Sequence, residues 1–396
     1  DLGLAWITNT TGLAISRLPN GCLFAIEHHD PAGTIMINQA LGAPLFGGIG
    51  RVLLRVSRPG KDERTVEVVG PSARVRIGTG QDRFVWVSET EGFLCRVTLW
   101  IAPDANVWLW WVEVECGAES EDGGAQACLI QDLGLGARSF VTNNEAYASQ
   151  YIDHHIVHAE GLGPVIMSRQ ALPQDGRYPW AGHVCLDGAA AFATDAAQIF
   201  GPGFRDQAET QVSLPSERLQ HECACVGLSG PVRRLARGES VVWTFAGIFV
   251  PDHPAASSDA DLECVETTAH EARFQAKAVH LAPAARSLLQ DAAPLAADDL
   301  DTAELDRLWP DRRLEERDSA GRPLSFFVPD GALNRHIVLR AKERMVTRRH
   351  GALLRSGASL LPDENALCAT VWAHGVFAAQ LTIGNTAFHK LISLSR

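Results

Sequence analysis

The sequence is poor in tyrosine and methionine, and it contains no long apolar run. It has three residues of each type among 396, and no stretch approaches the ~18 consecutive apolar residues of a membrane-spanning helix. It also has no GxSxG, Walker A or HExxH motif, and no GxGxxG in a strand-to-helix setting. The usual signals of acyl transfer, nucleotide binding and zinc proteolysis are therefore missing. We expect no catalytic residue and no cofactor in this chain.

Basic residues are outnumbered by acidic ones, 35 against 47, which gives a formal net charge of −12. A negative surface repels nucleic acid and anionic lipid, so we expect neither as a partner. The nine cysteines are scattered, and the closest pair, Cys223 and Cys225, is spaced too tightly for a CxxC arrangement. An odd number of scattered thiols is typical of a reducing compartment, so we predict a cytoplasmic location.

A length of 396 residues predicts two or three domains. The first residue is Asp1, and no charged head with an apolar stretch precedes Trp6. We therefore expect neither a signal peptide nor a native start, and interpret the chain as a piece of a longer protein.

Short alternating apolar and polar runs dominate from Leu4 to about Val250, a pattern typical of antiparallel strands. The clearest strand candidates are Phe84–Val87, Phe93–Ile101, Val107–Glu115 and Val241–Val250. Both faces of Val107–Glu115 carry large apolar residues, which predicts a central strand buried on both sides. These features favour a mainly β fold with a large antiparallel β-sandwich.

Beyond the sandwich, Leu262–Leu289 is rich in Ala, Glu, Lys and Leu and is the best helix candidate. Strand patterning returns at Leu324 and continues to the end of the sequence. We therefore predict an N-terminal β-sandwich at residues 1–254, a helical linker at 255–322, and a second, incomplete β-sandwich at 323–396.

One segment concentrates polar and aromatic residues that suit saccharide binding. Amide and carboxylate groups pair with sugar hydroxyls, and aromatic rings cover sugar C–H groups. We interpret the segment from Thr142 to His155 as a loop that faces a saccharide. Its candidate substrate-binding residues are Asn143, Asn144, Tyr147, Gln150, Tyr151, Asp153, His154 and His155.

A structural role remains an alternative for the same residues. Tyr147 and Tyr151 could pack into the sandwich edge, and the Asn and Asp side chains could bind turn backbones. A second aromatic group, Tyr178-Pro179-Trp180 with His183, is interpreted as ordinary packing.

Adjacent histidines occur at His28-His29 and His154-His155. Neighbouring residues on a strand point to opposite faces, so we predict no metal site there. Glycoside hydrolysis needs two carboxyl groups about 5 to 10 Å apart, one of them with a raised pKa. The sequence does not distinguish among the candidate carboxyl groups, which are Glu27, Asp30, Asp132, Glu145 and Asp153.

Several runs resemble a known family. They are Phe326–Gly331, Arg348–Gly351, Val376–Leu391, Asn143–Tyr147 and Tyr151–His154. They are similar to segments of the 1,2-β-oligoglucan phosphorylases of glycoside hydrolase family 94, a group related to cyclic β-1,2-glucan synthases. The resemblance spans most of the chain.

The resemblance implies an N-terminal sandwich of the galactose mutarotase-like super-sandwich type, followed by a helical linker, an (α/α)6 barrel and a C-terminal β domain. Such enzymes use inorganic phosphate as co-substrate and release glucose 1-phosphate by inverting phosphorolysis of β-glucosides. The acid and the phosphate site belong to the barrel, and no stretch here is long enough to form one. The expected partners are a β-glucan oligosaccharide and either a second copy in a homodimer or a barrel-containing remainder of the polypeptide.

Three hypotheses follow for function. The leading one is a non-catalytic, carbohydrate-facing and assembly module of a β-1,2-glucan phosphorylase. The second is a stand-alone, mutarotase-like sugar epimerase that uses His154, His155 and Glu160. The third is a silent scaffold that binds a separate barrel subunit through the region after Cys368.

Overall fold

The fold is mainly β, as the alternating patterns predict. The computed structural model describes residues 3–39, 50–200, 213–220, 223–271 and 277–285, with shorter stretches between 292 and 394. The first twelve strands are β1 Ala5–Thr8, β2 Leu13–Arg17, β3 Leu23–Asp30, β4 Gly33–Met36, β5 Arg51–Ser57, β6 Arg64–Val69, β7 Arg76–Thr79, β8 Arg83–Thr90, β9 Phe93–Ile101, β10 Val107–Cys116, β11 Gly123–Asp132 and β12 Gly136–Ala137.

Short helices separate the following strands. The helices are α1 Arg138–Asn143, α2 Glu145–Gln150, α3 Ala197–Phe200 and, after a 3-10 turn at Asp259–Asp261, α4 Leu262–Glu271. The strands around them are β13 Ile152–Ala159, β14 Gly163–Gln170, β15 Trp180–Cys185, β16 Ala191–Asp195, β17 Ala224–Ser229, β18 Arg233–Leu235, β19 Ser240–Val250 and β20 Ala282–Pro283. None of the helices in the described part of the chain has the length and apolar character that a membrane span requires.

Three antiparallel sheets enclose the N-terminal core. Within the described chain, the large sheet has the order β13-β14-β15-β19-β10-β9-β8-β7-β20. Opposite it lie a sheet of order β16-β17-β11-β5-β6 and a sheet of order β1-β2-β3-β4-β12. One continuous core joins side chains of all three, including Ile15, Leu54 and Trp110. The expected large antiparallel sandwich is therefore confirmed.

Strand β10 occupies the centre of the large sheet, with β9 and β19 on either side. Trp108 and Trp110 point into the core, while Val107 and Leu109 are buried in a second apolar cluster on the outer face. The prediction of a central strand buried on both faces is confirmed for this half of β10. Further along, Glu115 on the outer face is exposed to solvent.

The C-terminal part also consists of strands where it is described. They are β21 Ala292–Pro294, β22 Arg313–Arg317, β23 Pro323–Asp330, β24 Leu333–Val338, β25 Ala352–Ser356, β26 Leu367–Cys368, β27 Thr370–Ala373, β28 Ala379–Gly384 and β29 His389–Leu394. Strands β22, β23 and β24 form one antiparallel sheet, and β21 and β25–β29 form another. The three domain boundaries drawn from the sequence stay predictions.

The expected helix over Leu262–Leu289 is wrong in its second half. Helix α4 ends at Glu271, and residues 277–285 run extended. Ala282 and Pro283 pair with β7, and Ala284 donates its N–H to Val75 at 3.1 Å. Pro283 has no N–H for a helix, and pairing with an open sheet edge outweighs the helical propensity of the alanines. The predicted linker is therefore partly β.

Candidate functional site

The segment expected to be a saccharide-facing loop is regular structure instead. Helix α1 ends at Asn143, α2 runs from Glu145 to Gln150, and β13 begins at Ile152. Phe140, Val141 and Ala148 pack against the outer face of the five-stranded sheet. Burial of these apolar side chains stabilises two helices that are too short to show a periodic pattern in the sequence.

The structure distributes the eight predicted residues over different environments. Asn143 is exposed, and Asn144 donates its side-chain N–H to the Phe140 carbonyl at 3.2 Å, which is a structural role. The side chain of Tyr147 lies outside the described residues. Gln150, Tyr151 and Asp153 reach the surface together at the junction of α2 and β13, whereas His154 and His155 point elsewhere.

Gln150, Tyr151 and Asp153 share this surface with Arg218 and Gln220, and we call these five residues the Arg218 patch. The Arg218 guanidinium donates to Asp153 Oδ1 at 2.8 Å and to Gln220 Oε1 at 3.2 Å. It also donates through Nε to the His154 carbonyl at 2.6 Å. Tyr151 is 44% exposed. The patch therefore combines a partly exposed tyrosine with a carboxylate, two amides and a guanidinium that is held in place.

Arg218 reaches the patch because residues 214–220 close one side of the sandwich. Along β16, the Ser216 N–H donates to the Phe192 carbonyl at 2.9 Å. The Thr194 hydroxyl donates to the Leu219 carbonyl at 2.7 Å. Arg218 then spans the gap to β13 in the other sheet. The sequence held no signal of this contact, since Arg218 lies more than sixty residues from Asp153 along the chain.

His154 points into the sandwich and is buried. Its Nδ1 lies 2.9 Å from Ser168 Oγ, and burial, followed by the charge of Arg218, lowers its pKa to about 3. His183 is buried nearby on β15, and burial, followed by His154, lowers its pKa to about 3 as well. Both rings are neutral near pH 7, and neither reaches the surface where a substrate could bind.

Gln131 connects His183 to the opposite face of the core. It accepts a hydrogen bond from Trp108 Nε1 at 3.1 Å and lies 3.1 Å from His183 Nε2 through its amide nitrogen. Because the amide nitrogen donates, His183 Nε2 accepts and the ring carries its proton on Nδ1. This network pairs Trp108 Nε1 and His183 Nε2 through Gln131 and leaves the buried His183 Nδ1 without a hydrogen-bond partner among the described residues.

His155 points to the outer face, where its Nε2 lies 2.8 Å from Asp259 Oδ1. The prediction that neighbouring histidines occupy opposite faces is confirmed here, and it is also confirmed at the buried His28 and the exposed His29. Within the part of the chain that the structure describes, no group of three or more His, Cys, Asp or Glu side chains could hold a metal ion.

The epimerase hypothesis needs one of the two histidines near Glu160. Glu160 follows the last residue of β13, so five or six residues separate it from His155 and His154. At about 3.3 Å per residue the distance is on the order of 16 to 20 Å. His154 is also buried, and His155 contacts Asp259. These residues do not form one site on this strand.

Two of the candidate carboxyl groups are neutralised by arginines. Glu27 is buried, with Oε1 2.9 Å from Arg138 Nη1, and Asp30 forms an ion pair with Arg177. Burial acts to raise the pKa of Asp30, but hydrogen bonds from Arg177 and the backbone outweigh it and leave the pKa lowered. A general acid of a glycosidase needs the opposite shift.

Asp132 and Asp153 also have hydrogen-bond partners. Asp132 accepts the Gln39 N–H at 3.0 Å inside the protein, and Asp153 binds Arg218. The side chain of Glu145 lies outside the described residues. Among the candidate carboxyl groups, Glu27, Asp30 and Asp153 therefore each contact an arginine, and Asp132 binds a backbone N–H.

Comparison with known proteins gives two family matches. Residues 16–246 match the SOGP N-terminal domain, and residues 309–396 match the glycoside phosphorylase supersandwich domain. A 1,2-beta-oligoglucan phosphorylase of Listeria innocua is 28% identical over 391 residues, which cover 97% of this chain and 33% of that protein. The chain thus spans about a third of the length of that relative.

Solved structures give weaker likenesses. A galactose mutarotase related enzyme from Lactobacillus acidophilus aligns with 64% of this chain and 100% of its own, at 10% identity and a TM-score of 0.34. A 4-alpha-glucanotransferase from Thermococcus litoralis aligns with 62% of this chain and 37% of its own, at 7% identity and a TM-score of 0.29. Scores this low bear neither on function nor on the site.

Proposed function

Because the chain belongs to the SOGP N-terminal domain family, we propose that it is a non-catalytic, carbohydrate-facing module of a β-1,2-glucan phosphorylase. Its partner is the remainder of such an enzyme, whose barrel performs phosphorolysis with inorganic phosphate, or a second copy in a homodimer. The similarity to the Listeria protein supports this substrate class, and the phosphorylase supersandwich match supports the reaction class. We place the module in the cytoplasm.

The Arg218 patch is the observation that carries the proposal. Tyr151 offers a ring face to sugar C–H groups, while Asp153, Gln150 and Gln220 offer hydrogen-bonding groups to hydroxyls. The three hydrogen bonds of Arg218 hold the guanidinium and Asp153 in place before a ligand arrives. Such preorganisation reduces the entropy lost on binding.

Calorimetric titration with β-1,2-linked glucooligosaccharides tests the proposal, with phosphate present and glucose 1-phosphate assayed in parallel. Binding without product is the expected result. Tyr151→Ala is expected to weaken binding about fivefold, since an aromatic contact contributes about 1 kcal/mol. Trp6→Ala is a matched control, because Trp6 is 43% exposed on another sheet while Tyr151 is 44% exposed.

Each result has a defined meaning for the proposal. Equal weakening by both substitutions would place the binding surface elsewhere. Release of glucose 1-phosphate would reveal a catalytic site in this chain and overturn the non-catalytic role. Absence of both binding and product would leave the scaffold role that was assigned to the region after Cys368, whose side chains lie outside the described residues.

A further inference from the structure

The chain that follows β19 lies on the outer surface of β13, β14 and β15, and we call residues 252–271 the docked linker. Arg169 on β14 donates to the His253 carbonyl at 2.7 Å and to the Pro254 carbonyl at 2.8 Å. Its guanidinium lies 4.2 Å above the Tyr178 ring. Two charge-assisted hydrogen bonds from one fork fix both position and direction of the linker backbone.

Trp180 on β15 supplies the second contact with the docked linker. The His253 ring stacks on Trp180 with 5.5 Å between ring centroids and 17° between the planes. Trp180 Nε1 donates to Ser257 Oγ at 2.9 Å, and His253 Nε2 lies 2.9 Å from Asp261 Oδ1. These contacts fix the path of the linker between His253 and the start of α4.

Helix α4 itself is seated on the sheet. Val265 is fully buried, and it lies over Gly182 so closely that a Cβ there would be 2.8 Å from Val265 Cγ2. His155 on β13 holds the preceding 3-10 turn through Asp259 Oδ1 at 2.8 Å. The outer surface of β13, β14 and β15 therefore holds the linker through specific contacts.

The docked linker and the Arg218 patch meet on β13. In the described sheet, β13 is the terminal strand, so only β14 pairs with it through a ladder. Asp153 pairs in register with Arg169, which places the side chains of adjacent strands about 5 Å apart at Cβ. Asp153 thus adjoins Arg218 of the patch and Arg169 of the linker surface. His155 lies two residues after Asp153 on the same face of β13, and it binds the linker through Asp259.

We propose that this short stretch of β13 couples saccharide binding at the Arg218 patch to the seating of the docked linker. The inference rests on the proposed function of the patch. A saccharide that binds Asp153 and Arg218 adds contacts that oppose local opening of this terminal strand, and the closed strand holds Asp259 through His155. By linkage, a seated linker favours saccharide binding by the same factor.

Hydrogen exchange of residues 259–271, with and without β-1,2-glucooligosaccharide, tests the coupling in parallel with calorimetry. In the native chain, the saccharide is expected to slow exchange there about fivefold or more, the lower end of typical coupling. Asp259→Ala removes the contact from the linker side, and leaves every residue of the patch in place. It is expected to abolish the slowing and to weaken saccharide binding about fivefold.

Asp104→Ala is the matched control, since Asp104 is also an exposed aspartate but lies in the turn between β9 and β10. It should bind and exchange like the native chain. Saccharide binding with unchanged exchange at 259–271 would overturn the coupling alone. Unchanged affinity of the Asp259→Ala variant would do the same. Absence of binding to the native chain would overturn the proposed function and the coupling with it.

Discussion

Gly247 on β19 lies directly beneath the Trp108 indole. A Cβ at this position would be 2.1 Å from Trp108 Cε2 and 2.2 Å from Cζ2, in the middle of the large sheet. Gly247→Ala is therefore expected to lower the free energy of unfolding by about 3 kcal/mol, because a packed core does not absorb an added methyl group. Urea denaturation measures the loss.

Trp108→Leu provides the matching test of that cause. The Trp108→Leu substitution alone should lower the free energy of unfolding. The double variant with Gly247→Ala should lose less free energy of unfolding than the sum of the two single losses. Additive losses in the double-mutant cycle would show that the clash with the indole is not the origin of the effect.

His154 and His183 should make the protein sensitive to acid. Burial lowers the pKa of each to about 3 in the folded state, whereas unfolded histidine titrates near 6.5. Between about pH 6.5 and 3 the unfolded chain therefore binds protons that the folded chain does not. Stability then falls as the pH is lowered, by about 1.4 kcal/mol per pH unit for each group that titrates fully.

Denaturation series at pH 7 and pH 5 measure this slope. His183→Gln removes one of the two groups and keeps a side chain that can hydrogen-bond with Gln131, so its slope should be shallower. It should also be less stable than the native chain at pH 7. An unchanged slope would mean that buried His183 does not resist protonation.

The 3-10 turn Asp259–Asp261, which leads into α4, begins at a capping box. The Ser258 side chain and the Asp261 carboxylate bind each other's backbone N–H groups. Burial acts to raise the pKa of Asp261, but the Ser258 N–H and His253 outweigh it and leave the pKa lowered. Asp261→Ala is expected to destabilise the docked linker by about 1 kcal/mol.

Local hydrogen exchange across residues 259–271 measures this change. Glu263→Ala is the control, since Glu263 is an exposed acidic residue in the first turn of α4 without a capping role. Equal acceleration by both substitutions would assign the effect to the loss of charge near the helix start instead of the cap.

At the scale of single elements, the alternation of apolar and polar residues was the most reliable sequence pattern for predicting strands. It predicted β10 as central and placed His154 and His155 on opposite faces, because a strand has a period of two. It did not reveal α1 and α2, whose six residues each are too few for a helical stripe. Composition also predicted a helix after Leu262 that is too long. Helix propensity contains no information about the open edge of β7, with which residues 282 and 283 pair.

At the scale of the whole molecule, the sequence predicted a large sandwich but not its division into three sheets, which depends on pairings between distant strands. The same limit applies to the candidate site. Gln150, Tyr151 and Asp153 were found by composition, whereas Arg218 and Gln220 join them only because the segment beside β16 carries the Arg218 side chain across to β13. Contacts of this kind leave no local pattern.

The docked linker bears on where the N-terminal unit ends. The boundary at residue 254 would remove α4, although Val265 and Leu262 cover the outer apolar cluster that contains Trp180 and Ile248. It would also remove residues 277–285, which pair with β7 and place the Ala285 N–H 3.0 Å from the Pro19 carbonyl. We therefore expect the chain through Ala285 to form one cooperative unit.

Thermal unfolding of chains ended at residues 254, 271 and 285 tests this expectation. Burial of Val265 and part of Leu262 contributes roughly 3 kcal/mol, which corresponds to about 5 °C in a domain of this size. The chain ended at 254 should therefore melt about 5 °C below the chain ended at 285, with the chain ended at 271 between them. It should also bind a hydrophobic dye at the uncovered cluster around Trp180. Equal midpoints for all three chains would show that the linker rests on the sandwich without stabilising it, and would restore the boundary at 254.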